Sequence, residues 1–299
     1  MRVAALDVGT NTTRALIADV ADGRVDEVVR RTAITRLGEG VGWSRTLLPT
    51  AVARVRKALD EYMREVDRHG VERALLVATS AVRDSDNGEE LLRDLECAYG
   101  VDTRLVDGRE EAELAFRGVE SAGLVRARTL VLDVGGGSTE LIVGDPLGVD
   151  EVVSAQLGSV RSTERFLHSD PPATDELAAL REHARSELPS SHAERAVGVA
   201  GTVTTIAALD LDLETYDRNR VHGHVLARAA VETQLARLAM PLAQRLRIPA
   251  LEPGRAPVIV AGAAIVAEAM QVSELDELVA SEHDLLDGIA LAAAQLPGR

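Results

Sequence analysis

The tetrapeptide Leu-Asp-Val-Gly stands twice in the chain, at residues 6–9 and again at 132–135. Each copy closes an apolar run that reads as a strand, Val3 to Val8 and Thr129 to Val134, and each is followed by a second such run, Arg14 to Val20 and Thr139 to Val143. A strand, an acid, a glycine turn and another strand, met twice, is most economically two copies of one α/β unit. The 299 residues leave room for two cores, because single cores stop growing near this size.

The intervening pattern supports that division. Val25 to Ile34 extends the first sheet. Pro49 opens a helix with Val52, Val55, Leu59, Tyr62, Met63 and Val66 on one face, and Gly70 ends it. Strand Ala74 to Ala78, helix Glu89 to Tyr99, strand Val101 to Val106 and helix Glu110 to Ser121 complete an alternating unit. The second half adds strand Val149 to Ala155 and helices over Thr174 to Leu188, Val203 to Leu209, Ala229 to Leu238, Ala263 to Met270 and Asp284 to Gln295. The expected domains are 1–126 and 127–299, with the last helix free to pack back on the first.

Composition narrows the function classes. Two Phe, three Tyr and one Trp make the core aliphatic and leave few platforms for stacking bases. A net charge of -15 opposes attraction to nucleic acid or to an anionic membrane. Residues 1–126 hold 19 Lys+Arg against 23 Asp+Glu, so the excess acid falls mostly in the second half. Lys57 is the only lysine, and guanidinium groups suit forked bonding to phosphate. The lone Cys97 cannot form an intramolecular disulfide, and the longest uncharged apolar run, Ala256 to Ala267, is too short to span a bilayer. The expectation is a cytoplasmic protein with no nucleic-acid or membrane partner.

The sharpest chemical signal is Asp133-Val134-Gly135-Gly136-Gly137-Ser138-Thr139-Glu140. Three glycines after a strand let successive N–H groups point at an anion with no Cβ in the way, and Ser138 and Thr139 add hydroxyls. Asp133 and Glu140 would repel a bare phosphate, which makes sense if they hold a divalent cation that bridges to it. Asp7-Val8-Gly9-Thr10-Asn11-Thr12 offers the same chemistry from the first half; alone it is a plain hairpin, but paired it describes two phosphate loops facing across a cleft. Gly201 and Thr202 open a helix after a strand, an arrangement that serves equally as an anion site or as a capping turn. Glu110 and Glu111 begin another helix, where dipole complementarity alone accounts for acids. His222-Gly223-His224 reads as a turn rather than a metal site.

These segments together resemble the exopolyphosphatase and guanosine pentaphosphate phosphohydrolase family, within the acetate-kinase, sugar-kinase, Hsp70 and actin superfamily. The resemblance runs nearly end to end. It is carried by Asp7 to Thr12, by Ala78-Thr79-Ser80-Ala81-Val82-Arg83-Asp84 with Asn87, and by Gly108-Arg109-Glu110-Glu111-Ala112-Glu113-Leu114. Asp133 to Leu141, Gly198 to Thr202 with Thr204 and Thr205, Ala261 to Ile265, and Val272-Ser273-Glu274 with His283 to Gly288 continue it. Thr10 and Thr12 stand where the family often has Ser, which preserves the hydroxyls.

The resemblance implies two actin-like, ribonuclease H-like α/β domains flanking a cleft. It implies Mg2+ or Mn2+ as cofactor, and hydrolysis of the terminal phosphate of inorganic polyphosphate, or of guanosine pentaphosphate. Glu111 matches the family's catalytic glutamate and Arg83 an arginine near the bound phosphate. Asp133 and Glu140, with Asp7, fall to the metal. Asn11, Thr12, Gly135, Gly136, Gly137, Ser138, Gly201 and Thr202 fall to the phosphate. Longer members add an HD-type helical domain, so two halves alone are expected to favour short chains. A homodimer is a further expectation. A non-catalytic phosphate sensor and a kinase on the same fold are the rival readings.

Overall fold

The computed structural model describes residues 1–297 and has two compact units, one of Met1–Leu124 with the chain from His283 onward, the other Val125–Glu282. The first unit opens with β1 (Arg2–Val8), β2 (Thr12–Ala21) and β3 (Arg24–Ile34), an antiparallel run. Asp22 and Gly23 both have positive φ, 51° and 75°, the two-residue turn whose twist matches its strands. Then follow α1 (Val41–Ser44), α2 (Pro49–Arg68), β4 (Arg73–Ala78), α3 (Ser80–Arg83), α4 (Gly88–Tyr99), β5 (Asp102–Leu105) and α5 (Gly108–Ser121). The sheet order is β3-β2-β1-β4-β5, with β4 and β5 parallel to β1.

Val55, Leu59, Tyr62 and Val66 of α2 face the sheet, as their spacing predicts, and the Tyr62 hydroxyl donates to the Thr13 carbonyl at 3.0 Å. Gly100, at φ 62°, closes α4 with a left-handed residue that a Cβ would penalise.

The second unit repeats the plan: β6 (Thr129–Val134), β7 (Thr139–Asp145), β8 (Gly148–Ala155), α6 (Ser159–Phe166), α7 (Thr174–Glu187), β9 (Arg195–Val199), α8 (Ala200–Asp210) and α9 (Arg218–Val221). β10 (Val225–Ala227), α10 (Arg228–Leu238), α11 (Leu242–Arg245), α12 (Ile259–Val272) and β11 (Glu277–Ala280) complete it. Its order β8-β7-β6-β9-β11-β10 is that of the first sheet with one more antiparallel edge strand. Three antiparallel strands continued by parallel ones, twice over, make the two-domain actin-like, ribonuclease H-like α/β class. Among the described residues no helix is long and apolar enough to cross a membrane.

The last helix, α13 (Leu285–Ala294), belongs to the first unit, so the second ends at Glu282 rather than at the chain's end. Leu285, Leu286, Ile289, Ala290 and Ala293 are buried with Val3, Ala5, Leu16 and Val77 of the first sheet. Each large aliphatic side chain so buried contributes about 1.5–3 kcal/mol. α13 crosses α5 at two glycines: a Cβ on Gly118 would overlap the Asp284 carbonyl, and one on Gly288 the Leu114 carbonyl. Its start is fastened by charge. Asp284 caps the Leu286 N–H at 2.9 Å, and Asp287 accepts from the Asp284 N–H at 3.1 Å and from Arg30 at 3.0 and 3.1 Å.

Periodicity predicts α12 from Ala263, but it begins at Ile259; residues 259–262 are apolar all round and carry no amphipathic signal. α8 begins at Ala200, so that Gly201 and Thr202 open the helix, with Ala200 itself at φ 64°.

Candidate active site

The two Leu-Asp-Val-Gly segments end in the same turn. The Gly9 N–H donates to the Thr12 carbonyl at 2.9 Å, and the Gly135 N–H donates to the Ser138 carbonyl at 3.1 Å. In each turn a later segment of the same unit takes up carbonyls. Gly38 N–H donates to Thr10 O, and Thr35 and Arg36 N–H to Asn11 O. Ser159 N–H donates to Gly135 O at 2.9 Å, Val160 and Arg161 N–H to Gly136 O, and Arg161 Nε to Gly137 O at 2.8 Å. With three successive carbonyls consumed by α6, no protein acceptor engages the Gly136 and Gly137 N–H groups among the described residues. That is the electrostatic character of an anion cradle. Gly158 makes it possible, since a Cβ there would overlap the Gly136 carbonyl.

Asp133 and Glu140 are direct cross-strand partners on β6 and β7, and both are buried. Such partners share one face of the sheet, with Cβ atoms about 4.5–5.5 Å apart. Glu140 Oε1 accepts from the Ser154 hydroxyl at 2.8 Å, which fixes the side chain. Two adjoining hard oxygen donors fit a small divalent cation, which takes one or two carboxylates and completes its shell with water and phosphate. Among the described residues no group of three or more His, Cys, Asp or Glu gathers to hold a metal.

Asp7, expected on the metal side, lies in the first unit and is tied elsewhere: Arg14 Nε donates to its Oδ2 at 2.8 Å. Burial pushes the Asp7 carboxyl up against the pull of Arg14. Its Oδ1 is buried without a protein partner, as is Asn11 Oδ1.

Glu111 is separated from its neighbour by environment. Glu110 turns toward the surface and pairs with Arg104 at 3.0 Å, whereas Glu111 is buried, 8% exposed. Asp107 caps α5 by accepting from the Glu110 N–H at 2.8 Å, which sets the register that turns Glu111 inward. Arg83, at the end of α3, donates through Nη1 to Glu111 Oε2 at 3.0 Å and to the Val106 carbonyl at 2.9 Å. Burial drives the Glu111 carboxyl up to about 7, with Arg83 pulling the other way. Arg83 Nη2 is buried with no protein partner, a donor left for an anion. Thus Glu111, Arg83, Asp7 and Asn11 all belong to the first unit, and Asp133, Glu140, the glycine loop, Gly201 and Thr202 to the second.

The Thr202 hydroxyl, expected on the phosphate, donates to the Val134 carbonyl at 3.2 Å, at the root of the glycine loop. Gly201, beside it, lies flat under the Arg255 guanidinium, which a Cβ would overlap. Arg255, Gly158, Ser154 and Arg14 are not marked in the sequence. Each meets the loops through a tertiary contact, and spacing carries no signal of that. Asn87 holds the backbone of Leu47, accepting its N–H at 2.8 Å, and so positions a loop.

The family model described as the Ppx/GppA phosphatase family matches residues 16–295. The chain is similar to Exopolyphosphatase 2 of Mycobacterium tuberculosis, 42% identical over 98% of each chain. It is 29% identical to that organism's Exopolyphosphatase 1, over 97% of this chain and 88% of the relative. Among solved structures, the Aquifex aeolicus Ppx/GppA family member superposes with a TM-score of 0.85 at 32% identity, covering 98% of this chain and 97% of that one. An exopolyphosphatase from Cytophaga hutchinsonii superposes with a TM-score of 0.87 at 25% identity, covering 96% of each.

Proposed function

The chain belongs to the Ppx/GppA phosphatase family, and on that premise we propose that it is an exopolyphosphatase, releasing orthophosphate from the end of inorganic polyphosphate. The observation that carries the reading is the buried Glu111 carboxyl, gripped by Arg83 and poised near neutrality. A general base works best when its pKa lies near the working pH. Glu111 takes a proton from the water that attacks the terminal phosphorus. The bond from that phosphorus to the bridging oxygen breaks, and the chain shortened by one phosphate leaves. The N–H groups of Gly136 and Gly137, with Ser138, Asn11, Thr12 and Arg83, are assigned the phosphoryl oxygens, where charge spreads as the bond breaks. Arg255 and Gly201 are assigned the anionic chain beyond.

Asp133 and Glu140 would hold Mg2+, or Mn2+ in its place, and that cation when bound would neutralise phosphate charge. Guanosine pentaphosphate presents the same phosphoanhydride end, but the 42% identical relative bears the exopolyphosphatase name, which favours polyphosphate. Cytoplasmic residence and a homodimer fit the reading.

Phosphate release with Mg2+ from short polyphosphate, long polyphosphate and guanosine pentaphosphate, at equal concentrations of ends, tests it in wild type and Glu111→Gln. Release from polyphosphate that vanishes in the variant supports the proposal. Preference for guanosine pentaphosphate would transfer it to the nucleotide, and silence on all three would sink it.

A further inference from the structure

The duplicated turns are alike in backbone and opposite in charge. On β1 and β2 the residue directly across from Asp7 is Arg14; on β6 and β7 the residue directly across from Asp133 is Glu140. The two pairs stand at the same step from their Leu-Asp-Val-Gly segments, with the same glycine hydrogen bond beside each. One unit therefore faces its strand-end aspartate with an acid, the other with a cation.

Arg14 is well fixed in that place. Its Nε donates to Asp7 Oδ2 at 2.8 Å, and its Nη1 pairs with Asp284 Oδ2. Asp284 is the cap of α13, and its other oxygen accepts from the Leu286 N–H at 2.9 Å. The guanidinium is mostly buried, its side chain 16% exposed, between carboxylates that are 4% and 8% exposed. Burial opposes its charge, but Asp284 and Asp7 outweigh burial and hold it ionised. A buried guanidinium forked between two carboxylates cannot be exchanged or displaced as a hydrated metal ion can.

We infer that Arg14 is the built-in cation of the first unit: it takes the place Glu140 has in the second, matches the charge of Asp7, and positions that carboxylate. Divalent cation binding then falls to Asp133 and Glu140 alone, and Asp7 serves the reaction as an oriented, arginine-held carboxylate rather than as a ligand. The inference rests on the hydrolase reading only for its kinetic arm.

Two measurements test it, each on the full chain with circular dichroism as the check on folding. The first is Mn2+ binding, followed by the loss of the free-ion electron paramagnetic resonance signal, in wild type, Glu140→Gln and Asp7→Asn. Glu140→Gln is expected to weaken binding at least about tenfold, and Asp7→Asn by less than about threefold. Equal weakening in the two variants, or no binding by wild type, overturns the inference. The second is the split between kcat and KM on short polyphosphate. Arg14→Gln is expected to lose at least about tenfold in kcat with KM within about threefold, and Arg14→Lys, which keeps the charge, to recover much of it. Wild-type kcat in Arg14→Gln, or a loss confined to KM, overturns the positioning role. Should Arg14→Gln fail to fold, Arg14→Lys and the Mn2+ series decide. Wild type that binds Mn2+ in the expected pattern yet releases no phosphate counts against the hydrolase reading and leaves this inference standing.

Discussion

Arg83 Nη1 and Glu111 Oε2 lie 3.0 Å apart, and the arginine is the chief force opposing the burial that raises this carboxyl. The pair sets the pH at which this carboxyl gives up its proton.

In the role proposed for it Glu111 must be ionised to accept a proton, and burial has lifted it from the ordinary carboxylate range to about 7. Below that pH it is protonated and idle; above it, active. The rate on short polyphosphate should therefore climb with pH through about 7 and then level off. Glu111→Gln should cut kcat by about 10²–10⁴-fold and abolish this limb, with KM changed little. A pH–rate profile of both proteins checks it, and a wild-type profile already flat at pH 5 would remove Glu111 from the role.

Removing the arginine should move the limb the other way from removing burial. In Arg83→Met the carboxyl loses the charge that lowers it, so the rise in activity should shift to higher pH than in wild type. KM should rise as well, because the unpartnered Nη2 is lost as a phosphate donor. The same profile, run at several substrate concentrations, separates the two effects.

Gly158→Ala would drive a methyl group into the carbonyl of Gly136. Overpacking of this kind costs about 1–3 kcal/mol, and here the strain falls on the glycine turn. The expected result is a KM several-fold higher. Gly42→Ala is the control, since nothing lies within 4 Å of a Cβ there. Kinetics matching wild type in Gly158→Ala would show that the turn does not depend on α6.

Asp287 gives a stability prediction. Burial alone would raise its carboxyl, but the hydrogen bond with His283 and the charge of Arg30 overcome it and hold it down to about 2. A carboxyl lowered by folding contributes above its unfolded pKa, near 4, and loses that contribution as pH falls toward 2. The shift corresponds to about 2 kcal/mol at neutral pH. Asp287→Asn should thus lower urea stability by at least that amount at pH 7, and by less at pH 3. An equal loss at both would assign the effect to the cap alone.

The parts of this design that the sequence discloses are the local ones. Gly135 to Gly137, Asp133 and Glu140 announce themselves because a turn and its flanking acids lie within eight residues. Val55, Leu59 and Val66 show their face because a helix repeats on a scale of a few residues. Glu111 and Glu110 are alike in letters; only the packing of α5 against its unit, and Arg83 arriving from α3, make one a buried carboxyl and the other a surface ion pair. Arg14 is invisible for the same reason, since one of its carboxylates is seven residues away and the other 270. The apolar letters of α13 state that it is buried but not in which unit.

That last helix also orders events in time. The second unit is one uninterrupted stretch of chain, Val125–Glu282, and can gather its core as soon as it has left the ribosome. The first unit, although made first, lacks Leu286 and Ile289 over β1, and a partner for Gly118, until residues 285–294 emerge. While residues 125–284 are being made, that face of its sheet has Leu114 and Ala115 of α5 but no α13 over it. The first unit therefore completes its core only once the second has been translated.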